Sequence, residues 1–257
     1  MKASLLKKLR LAVQQAFIPI FVADTFGTET LLAGCELAGV RVLEYTLRRP
    51  DAHTVIPTLQ ARYPENVIMV GSTIDDEAIV TQMKAKHPQL MSVPELAPFV
   101  DGFVSMLPYS NETLEAFRNT HLMIPTAETS GEALRQMGHG ATAIKVCGPD
   151  FSFSKKLHAA PTFNYCPTFI TGGVTVERME EAFAAGNILT AAGFDLILKG
   201  EDPVTLTPER VAERLGEFLS AAKAARDKHS SALVGCETLT DVAFLEAFPH
   251  YCSVKGV

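Results

Sequence analysis

Short apolar runs alternate with segments of helical pattern along this chain. The first unit has an apolar run at residues 18–22, a polar loop at 23–27, and a helical pattern over 28–38 that Gly39 closes. Such a unit is typical of a buried strand followed by a helix. Seven further apolar runs follow, at residues 40–45, 67–70, 102–104, 121–124, 143–146, 168–171 and 188–192.

Eight units of this kind predict an α/β fold, a closed (β/α)8 TIM barrel. Strands separated by helices pair in parallel through right-handed crossovers, and continuous apolar runs indicate sheet faces that are covered on both sides. The length of 257 residues suits one such barrel. An open doubly wound sheet is the alternative, but it calls for a GxGxxG turn after the first strand, where residues 23–27 hold a single glycine.

Both ends of the chain add to the predicted barrel. Residues 1–16 space their apolar positions as an amphipathic helix does, without the apolar block of a secretory signal. The last barrel helix is predicted over residues 208–227. We therefore expect a barrel domain over residues 1–227, including the N-terminal helix, and a C-terminal extension over residues 228–257 that packs on the barrel or on a neighbouring subunit.

One segment interrupts the regular alternation. After a helix that Asp75 is predicted to cap, residues 86–100 carry Pro88, Pro94 and Pro98. Because proline interrupts helices, we expect an insertion here, packed outside the third or fourth unit. The roles of this insertion and of the C-terminal extension are left open.

Composition and charge disfavour several classes of function. The 23 Lys and Arg against 29 Asp and Glu give a net charge of −6, which does not attract nucleic acid or an anionic membrane. No run of eighteen apolar residues predicts a membrane span. The five scattered cysteines form no CxxC pair, which favours reduced thiols in the cytoplasm. No histidine spacing suggests metal ligands and no GxSxG motif suggests a hydrolase, so we expect no metal.

Two charged residues lie within predicted buried strands. Glu44 follows Val42 and Leu43, and Lys145 lies between Ile144 and Val146. Because side chains alternate between the two faces of a strand, Ile144 and Val146 are predicted to face the helices and Lys145 the barrel interior. A charge buried without a partner costs several kcal/mol, so each of these residues needs a partner or a polar cavity.

The two buried charges permit two interpretations. They can form an ion pair that only stabilises the barrel. Alternatively, an amine in apolar surroundings loses part of its preference for the charged form and attacks a carbonyl carbon to form a Schiff base, while a nearby carboxylate moves protons. The second interpretation predicts carbonyl chemistry that needs no metal or organic cofactor.

Further polar residues stand at the C-terminal ends of the predicted strands, where (β/α)8 barrels form their active sites. We expect Arg48 to clamp a substrate carboxylate with its planar guanidinium, and Arg49 to lie at the solvated rim. Residues 71–73 and 171–173 combine a threonine hydroxyl with glycine backbone N–H groups. Such loops bind carboxylate or phosphate oxygens, although either is equally consistent with a plain turn.

These motifs occur together, in the same order, in one enzyme family. Over residues 18–194 the chain resembles the class I 2-keto-3-deoxy-6-phosphogluconate (KDPG) and 4-hydroxy-2-oxoglutarate (KHG) aldolases. The segments that carry the resemblance are residues 39–50 (GVRVLEYTLRRP), 71–73 (GST), 125–132 (PTAETSGE), 144–146 (IKV) and 171–174 (TGGV).

The resemblance implies a role for each matching residue. Lys145 would form the Schiff base and Glu44 would act as the general base. Arg48 and Thr73 would hold the pyruvate carboxylate. The further substrate-binding residues that it implies are Pro125, Thr171, Gly172, Gly173 and Gly193, with Gly172 and Gly173 near the far, often phosphorylated, end of the substrate.

Two stretches depart from the family pattern. The family usually follows its lysine with an aromatic residue and a proline, where this chain has Val146 and Cys147. It commonly closes the eighth strand with Gly-Gly-Ser, where this chain has Ala192, Gly193 and Phe194. The pyruvate half of the site therefore matches better than the aldehyde half. The identity and phosphorylation of the aldehyde, and the configuration at C4, are left open.

We accordingly predict a metal-independent class I aldehyde-lyase of carbohydrate metabolism that reversibly cleaves a KDPG- or KHG-like 2-keto-4-hydroxy acid to pyruvate and an aldehyde. Its expected partners are the keto acid and pyruvate, with no nucleic acid or membrane, in a cytoplasmic homo-oligomer that the resemblance implies to be a trimer. Two alternatives stay open. One is a phosphate-binding barrel isomerase or epimerase that uses Glu44 for proton transfer and Lys145 as an electrostatic aid. The other is a catalytically inactive, aldolase-like binding subunit.

Overall fold

Eight parallel strands form a closed barrel. The structure, a computed structural model, describes residues 2–160 and 166–249. The strands are β1 Phe17–Phe21, β2 Val42–Thr46, β3 Val67–Gly71, β4 Gly102–Val104, β5 Leu122–Ile124, β6 Ile144–Cys147, β7 Thr168–Thr171 and β8 Leu189–Gly193. They pair in the order β5-β4-β3-β2-β1-β8-β7-β6. A bridge between Thr126, which follows β5, and Lys145 of β6 joins the two edge strands of this sheet. The predicted (β/α)8 barrel is therefore confirmed.

Most helices follow the strands and form the outer layer, whereas the first helix precedes β1 and the last lies in the C-terminal extension. They are α1 Ala3–Gln15, α2 Thr28–Leu37, α3 Ala52–Arg62, α4 Glu77–Lys86, α5 Val93–Leu96, α6 Asn111–Phe117, α7 Ser130–His139, α8 Ser152–Ala159, α9 Met179–Ala184, α10 Phe194–Ile197, α11 Pro208–His229 and α12 Asp241–Ala247. The prediction that Asp75 caps α4 is wrong. The side chain of Asp76 caps it by accepting from the Ile79 N–H, while Asp75 accepts from Ser110 because the β4–α6 loop lies beside it.

Side chains alternate between two apolar layers along the strands. On β2, Leu43 and Tyr45 point outward and pack in the layer beneath the helices, whereas Val42 packs in a second cluster inside the barrel. On β6, Ile144 and Val146 belong to the outer layer, as predicted. The same alternation places Glu44 and Lys145 on the inner face of the barrel.

The N-terminal end of the barrel is closed by apolar side chains from both ends of the chain. Leu5, Leu9 and Val13 of α1 share one buried cluster with Phe244 and Phe248 of the C-terminal extension. The division of the chain at residue 227 stays a prediction, and residues 250–257 of the extension lie outside the described residues. The site is therefore expected at the opposite end, where the strands end and loops begin.

The proline-rich insertion is partly helical. Its residues form α5 and a 3-10 turn at Ala97–Phe99. Val93 and Leu96 are buried in the outer apolar layer, which fastens the insertion to the outside of the barrel. Within the described residues, no helix is both long enough and apolar enough to cross a membrane.

Candidate active site

Glu44 and Lys145 lie inside the barrel on strands β2 and β6. Only 1% of Glu44 and 4% of Lys145 is exposed to solvent. Burial raises the pKa of Glu44 above its ordinary value, and the charges of Lys145 and Arg48 act in the opposite direction. The structure therefore brings a buried amine and a buried carboxyl group within electrostatic reach of each other, as the strand alternation predicts.

The Glu44 carboxyl group is not satisfied by the protein. Its Oε2 atom is buried and has no hydrogen-bond partner among the described protein groups, and within them Glu44 forms no ion pair with Lys145. A buried ion pair that served stability alone would be expected to satisfy both oxygens. The Oε2 atom of Glu44 therefore remains able to accept a hydrogen bond or a proton from a ligand.

Lys145 is fixed through its backbone to the neighbouring strand. Its N–H donates to the carbonyl of Pro125 at 2.8 Å, and its carbonyl accepts from the Ala127 N–H. Pro125, a predicted substrate-binding residue, thus stands directly beside the lysine at the junction that closes the barrel. The Lys145 charge also acts on Cys147, the exposed thiol two residues further along β6.

Thr73 is buried more deeply than its predicted role implies. It is 1% exposed, and its hydroxyl donates to the Val104 carbonyl at 3.0 Å and shares a short hydrogen bond with the hydroxyl of Tyr109. Binding a substrate carboxylate would require Thr73 to turn its single hydroxyl proton away from Val104. Thr73 therefore lies at the site, but its hydroxyl is occupied by hydrogen bonds within the protein.

Tyr109 is a member of the site that the sequence did not reveal. It is buried, Glu44 contributes to its electrostatic surroundings, and burial raises the pKa of its hydroxyl, so that it keeps its proton. Gln136 holds the Tyr109 backbone from both sides, accepting from its N–H at 3.0 Å and donating to its carbonyl at 2.9 Å. The loop after β4 shows no motif, so no sequence signal singled out this residue.

The two adjacent arginines have opposite environments. Arg48 is exposed and lies near enough to lower the pKa of Glu44, which agrees with its predicted position beside the site. The expectation that Arg49 lies at the solvated rim is wrong, because only 7% of it is exposed. Its guanidinium donates to Asp24 at 3.0 Å and to the carbonyls of Val22 and Phe26.

The reason for this difference is the bend of the chain after β2. Arg49 turns back under the loop that follows β1, where backbone and side-chain oxygens accept hydrogen bonds from the two terminal nitrogens of its guanidinium. Arg49 is therefore a structural connection between two loops of the barrel mouth. Arg48 is left available to a ligand.

The glycine loop after β7 packs against the loop after β6. The backbone carbonyl of Thr171 accepts from the Gly148 N–H at 2.9 Å. Gly172 and Gly173 have φ values of 90° and 71°, which favour glycine, and a side chain at either position would crowd the neighbouring loop. The structure therefore places these three residues at the mouth of the barrel beside β6. Gly193 lies at the end of β8, where α10 begins.

No metal centre is evident in the described segments. Within residues 2–160 and 166–249, no group of three or more His, Cys, Asp or Glu side chains could hold a metal ion. The chemistry that the site offers is that of an amine, a carboxyl group, hydroxyl groups and a free guanidinium.

Comparison with known proteins finds a curated sequence similar to this chain. No protein-family model matches the chain. A curated protein from Pseudoalteromonas atlantica, a 2-dehydro-3-deoxy-phosphogluconate aldolase, is 26% identical over 190 residues, which cover 70% of this chain and 79% of that protein.

Solved structures show the same fold. A structure described as native KDPGal superposes with a TM-score of 0.63 at 23% identity and covers 81% of this chain and 95% of its own. The KDPG aldolase of Legionella pneumophila, with pyruvate captured as a covalent carbinolamine, has a TM-score of 0.58 at 18% identity and covers 85% of this chain and 97% of its own. At these identities the structures establish the fold, and together with the curated relative they confirm the resemblance of this chain to the KDPG and KHG aldolase family.

Proposed function

We propose that this protein is a class I aldolase that cleaves a 2-keto-4-hydroxy acid to pyruvate and an aldehyde through a Schiff base on Lys145. The observation that carries the proposal is the buried Glu44 carboxyl group, which lies within electrostatic reach of the buried Lys145 amine yet has an unpartnered oxygen. Amine and carboxylate are the two groups that imine chemistry requires, and the fold holds both inside one barrel.

The reaction begins with attack of the neutral Lys145 amine on the C2 ketone. The carbinolamine that forms loses water to give a cationic imine, and Glu44 moves protons in both steps. Glu44 then accepts the proton of the C4 hydroxyl, the C3–C4 bond breaks, and its electron pair moves into the imine to form an enamine. The aldehyde leaves at this point. Protonation of the enamine at C3 and addition of water release pyruvate and restore the amine.

The raised pKa of Glu44 suits this role. A carboxylate whose proton affinity is increased by burial is a stronger base than an exposed one, and a catalytic base works best when its pKa approaches the working pH. Arg48, exposed beside Glu44, is proposed to hold the substrate carboxylate, and Thr73 to contribute its hydroxyl after turning from Val104. Holding the carboxylate keeps the C2 carbon in line with the amine.

Reduction with borohydride in the presence of pyruvate tests the proposal. We expect one pyruvate-derived adduct on Lys145 by peptide mass spectrometry, together with pyruvate release from a 2-keto-4-hydroxy acid. Lys145→Met is expected to abolish both. Lys156→Met removes an exposed lysine of α8 and is the matched control, which should leave both unchanged.

The open alternatives give different results in the same experiment. An isomerase or epimerase would form no adduct with pyruvate. An inactive binding subunit would form an adduct or none, but would release no pyruvate from any keto acid. The homotrimer is part of the proposal, and light scattering of the purified protein measures its mass directly.

A further inference from the structure

The end of strand β8 is where many barrels bind phosphate. In (β/α)8 enzymes, a phosphate group commonly sits between the loops after strands seven and eight and the first N–H groups of a short additional helix. This chain has the corresponding elements, because Gly193 ends β8 and is the N-cap of the short helix α10.

A carboxylate occupies this position in the present chain. The side chain of Asp195, in the first turn of α10, folds back over Gly193, so that a Cβ atom added at Gly193 would lie 2.2 Å from Oδ1 of Asp195. A phosphate bound at the end of β8 would meet this negative charge.

A second carboxylate lies on the adjacent strand end. Asp24 follows β1, which pairs with β8 through Ile20 and Gly193. The Asp24 side chain is 5% exposed, and its Oδ1 accepts from the Phe26 N–H and from Arg49. Its Oδ2 is buried and has no hydrogen-bond partner. Burial raises the pKa of Asp24, the Phe26 N–H and Arg49 act in the opposite direction, and the charge of Asp195 adds to the rise.

Two cations at the barrel mouth, Arg49 and Arg178, do not compensate these charges for a ligand, because both are already bonded to the protein. Arg49 is engaged by Asp24 and by two backbone carbonyls. Arg178, which reaches the loop after β7, donates to the carbonyls of Pro149 and Gly173 and pairs with Glu181. An anion at the β8 end would therefore meet carboxylates, and guanidinium groups that are already bonded.

We propose that the end of the aldol substrate remote from its keto group binds at the β8 end as an uncharged, hydroxylated chain, and that Asp195 excludes a phosphate there. Carboxylate oxygens accept hydrogen bonds from hydroxyl groups, and Asp195 and the unpartnered Oδ2 of Asp24 supply such acceptors. The inference rests on the proposed aldolase function and narrows its substrates to unphosphorylated hydroxy-aldehydes.

The condensation of pyruvate with racemic glyceraldehyde, compared with racemic glyceraldehyde 3-phosphate, tests the proposal. Racemic aldehydes remove the dependence on configuration. We expect kcat/KM to favour glyceraldehyde by at least about tenfold. Asp195→Asn should raise kcat/KM for the phosphorylated aldehyde several-fold and reduce this preference. Asp202→Asn removes the same charge from an exposed loop and should leave the preference unchanged.

Each outcome has a defined meaning. Preference for the phosphorylated aldehyde in a protein that forms the pyruvate adduct overturns this inference and leaves the aldolase function intact. Equal loss of both activities in Asp195→Asn, or reaction with neither aldehyde, also overturns it. Absence of the pyruvate adduct removes the aldolase function itself, and the inference with it.

Discussion

The carboxyl group of Glu44 lies in the space that a side chain at Gly71 would occupy. A Cβ atom added at Gly71 would come within 1.9 Å of Oε1 of Glu44 and 2.7 Å of its carboxyl carbon. Glu44 and Gly71 stand on the adjacent strands β2 and β3, so glycine at position 71 is what allows the buried carboxyl group to lie across the barrel interior.

Gly71→Ala is expected to displace Glu44 and to destabilise the barrel by about 1–3 kcal/mol, because the added methyl group overpacks a filled interior. Lyase activity should fall at least about tenfold, since a misplaced catalytic group can cost that much or more. Gly216→Ala is the matched control, because nothing lies within 4 Å of a Cβ at that position of α11. Denaturant unfolding and pyruvate release measure both variants, and equal effects would contradict the steric argument.

Glu44→Gln is expected to stabilise the protein at neutral pH while impairing catalysis. The folded-state pKa of Glu44 is raised above its ordinary value of 4.5, so the folded state favours the protonated form. The stability that Glu44 contributes is therefore full below the ordinary pKa and is lost as pH rises through the folded pKa. A neutral glutamine removes this loss.

Urea denaturation at pH 4 and pH 7 checks the sign. The advantage of Glu44→Gln should be present at pH 7 and should shrink at pH 4. Glu95→Gln is the control with the opposite sign, because Lys84 and Ser92 lower the pKa of Glu95 to about 2. At pH 7 the Glu95→Gln variant should be less stable than the parent protein. The difference in stability should shrink as the pH falls toward the Glu95 pKa of about 2. A constant difference for Glu44→Gln at both pH values would count against the burial argument.

Arg48→Ala and Arg49→Ala are expected to have opposite consequences, although the two residues are neighbours. Removing the buried Arg49 leaves Asp24 and two loop carbonyls without their donor and should cost about 3–5 kcal/mol. Arg48 is exposed, so its loss should change stability by about 0.5 kcal/mol or less.

Steady-state kinetics separates the two arginines further. Arg48→Ala is expected to raise KM for the keto acid, because the variant lacks the guanidinium that holds the substrate carboxylate. Thermal unfolding of both variants, measured beside the kinetics, shows which arginine stabilises the fold and which binds the substrate. A destabilised Arg48→Ala protein with normal KM would reverse the assignment.

Tyr109→Phe is expected to weaken substrate binding with little effect on the fold. The variant keeps the aromatic ring in place but deprives the Thr73 hydroxyl of one of its two hydrogen-bond partners, since the Val104 carbonyl remains. The lost hydrogen bond should cost about 1 kcal/mol of stability. If Tyr109 orients Thr73 toward the substrate carboxylate, KM rises and the rate of adduct formation at saturating pyruvate is preserved. Tyr63→Phe, on the outer face near α3, is the control and should leave KM unchanged.

The arrangement of strands and the inward position of Glu44 and Lys145 follow from local pattern. Apolar runs set the eight strands, and the alternation of side chains along each strand is a property of the backbone, so Ile144 and Val146 on one face require Lys145 on the other. Because strand direction is uniform in a parallel barrel, the same reasoning places Arg48, Thr73 and Thr171 at or just after the carboxyl ends of β2, β3 and β7, and their roles stay predictions.

Other features depend on contacts between segments distant in the chain. The alternation of side chains ends where a strand ends, so it does not predict the positions of residues 48 and 49. The loop after β1 buries Arg49 and leaves Arg48 exposed. The hydrogen bond from Tyr109 to Thr73 and the fold of Asp195 over Gly193 likewise arise from how loops meet at the barrel mouth. Periodicity governs single elements, whereas packing between loops is set by residues that no local pattern relates.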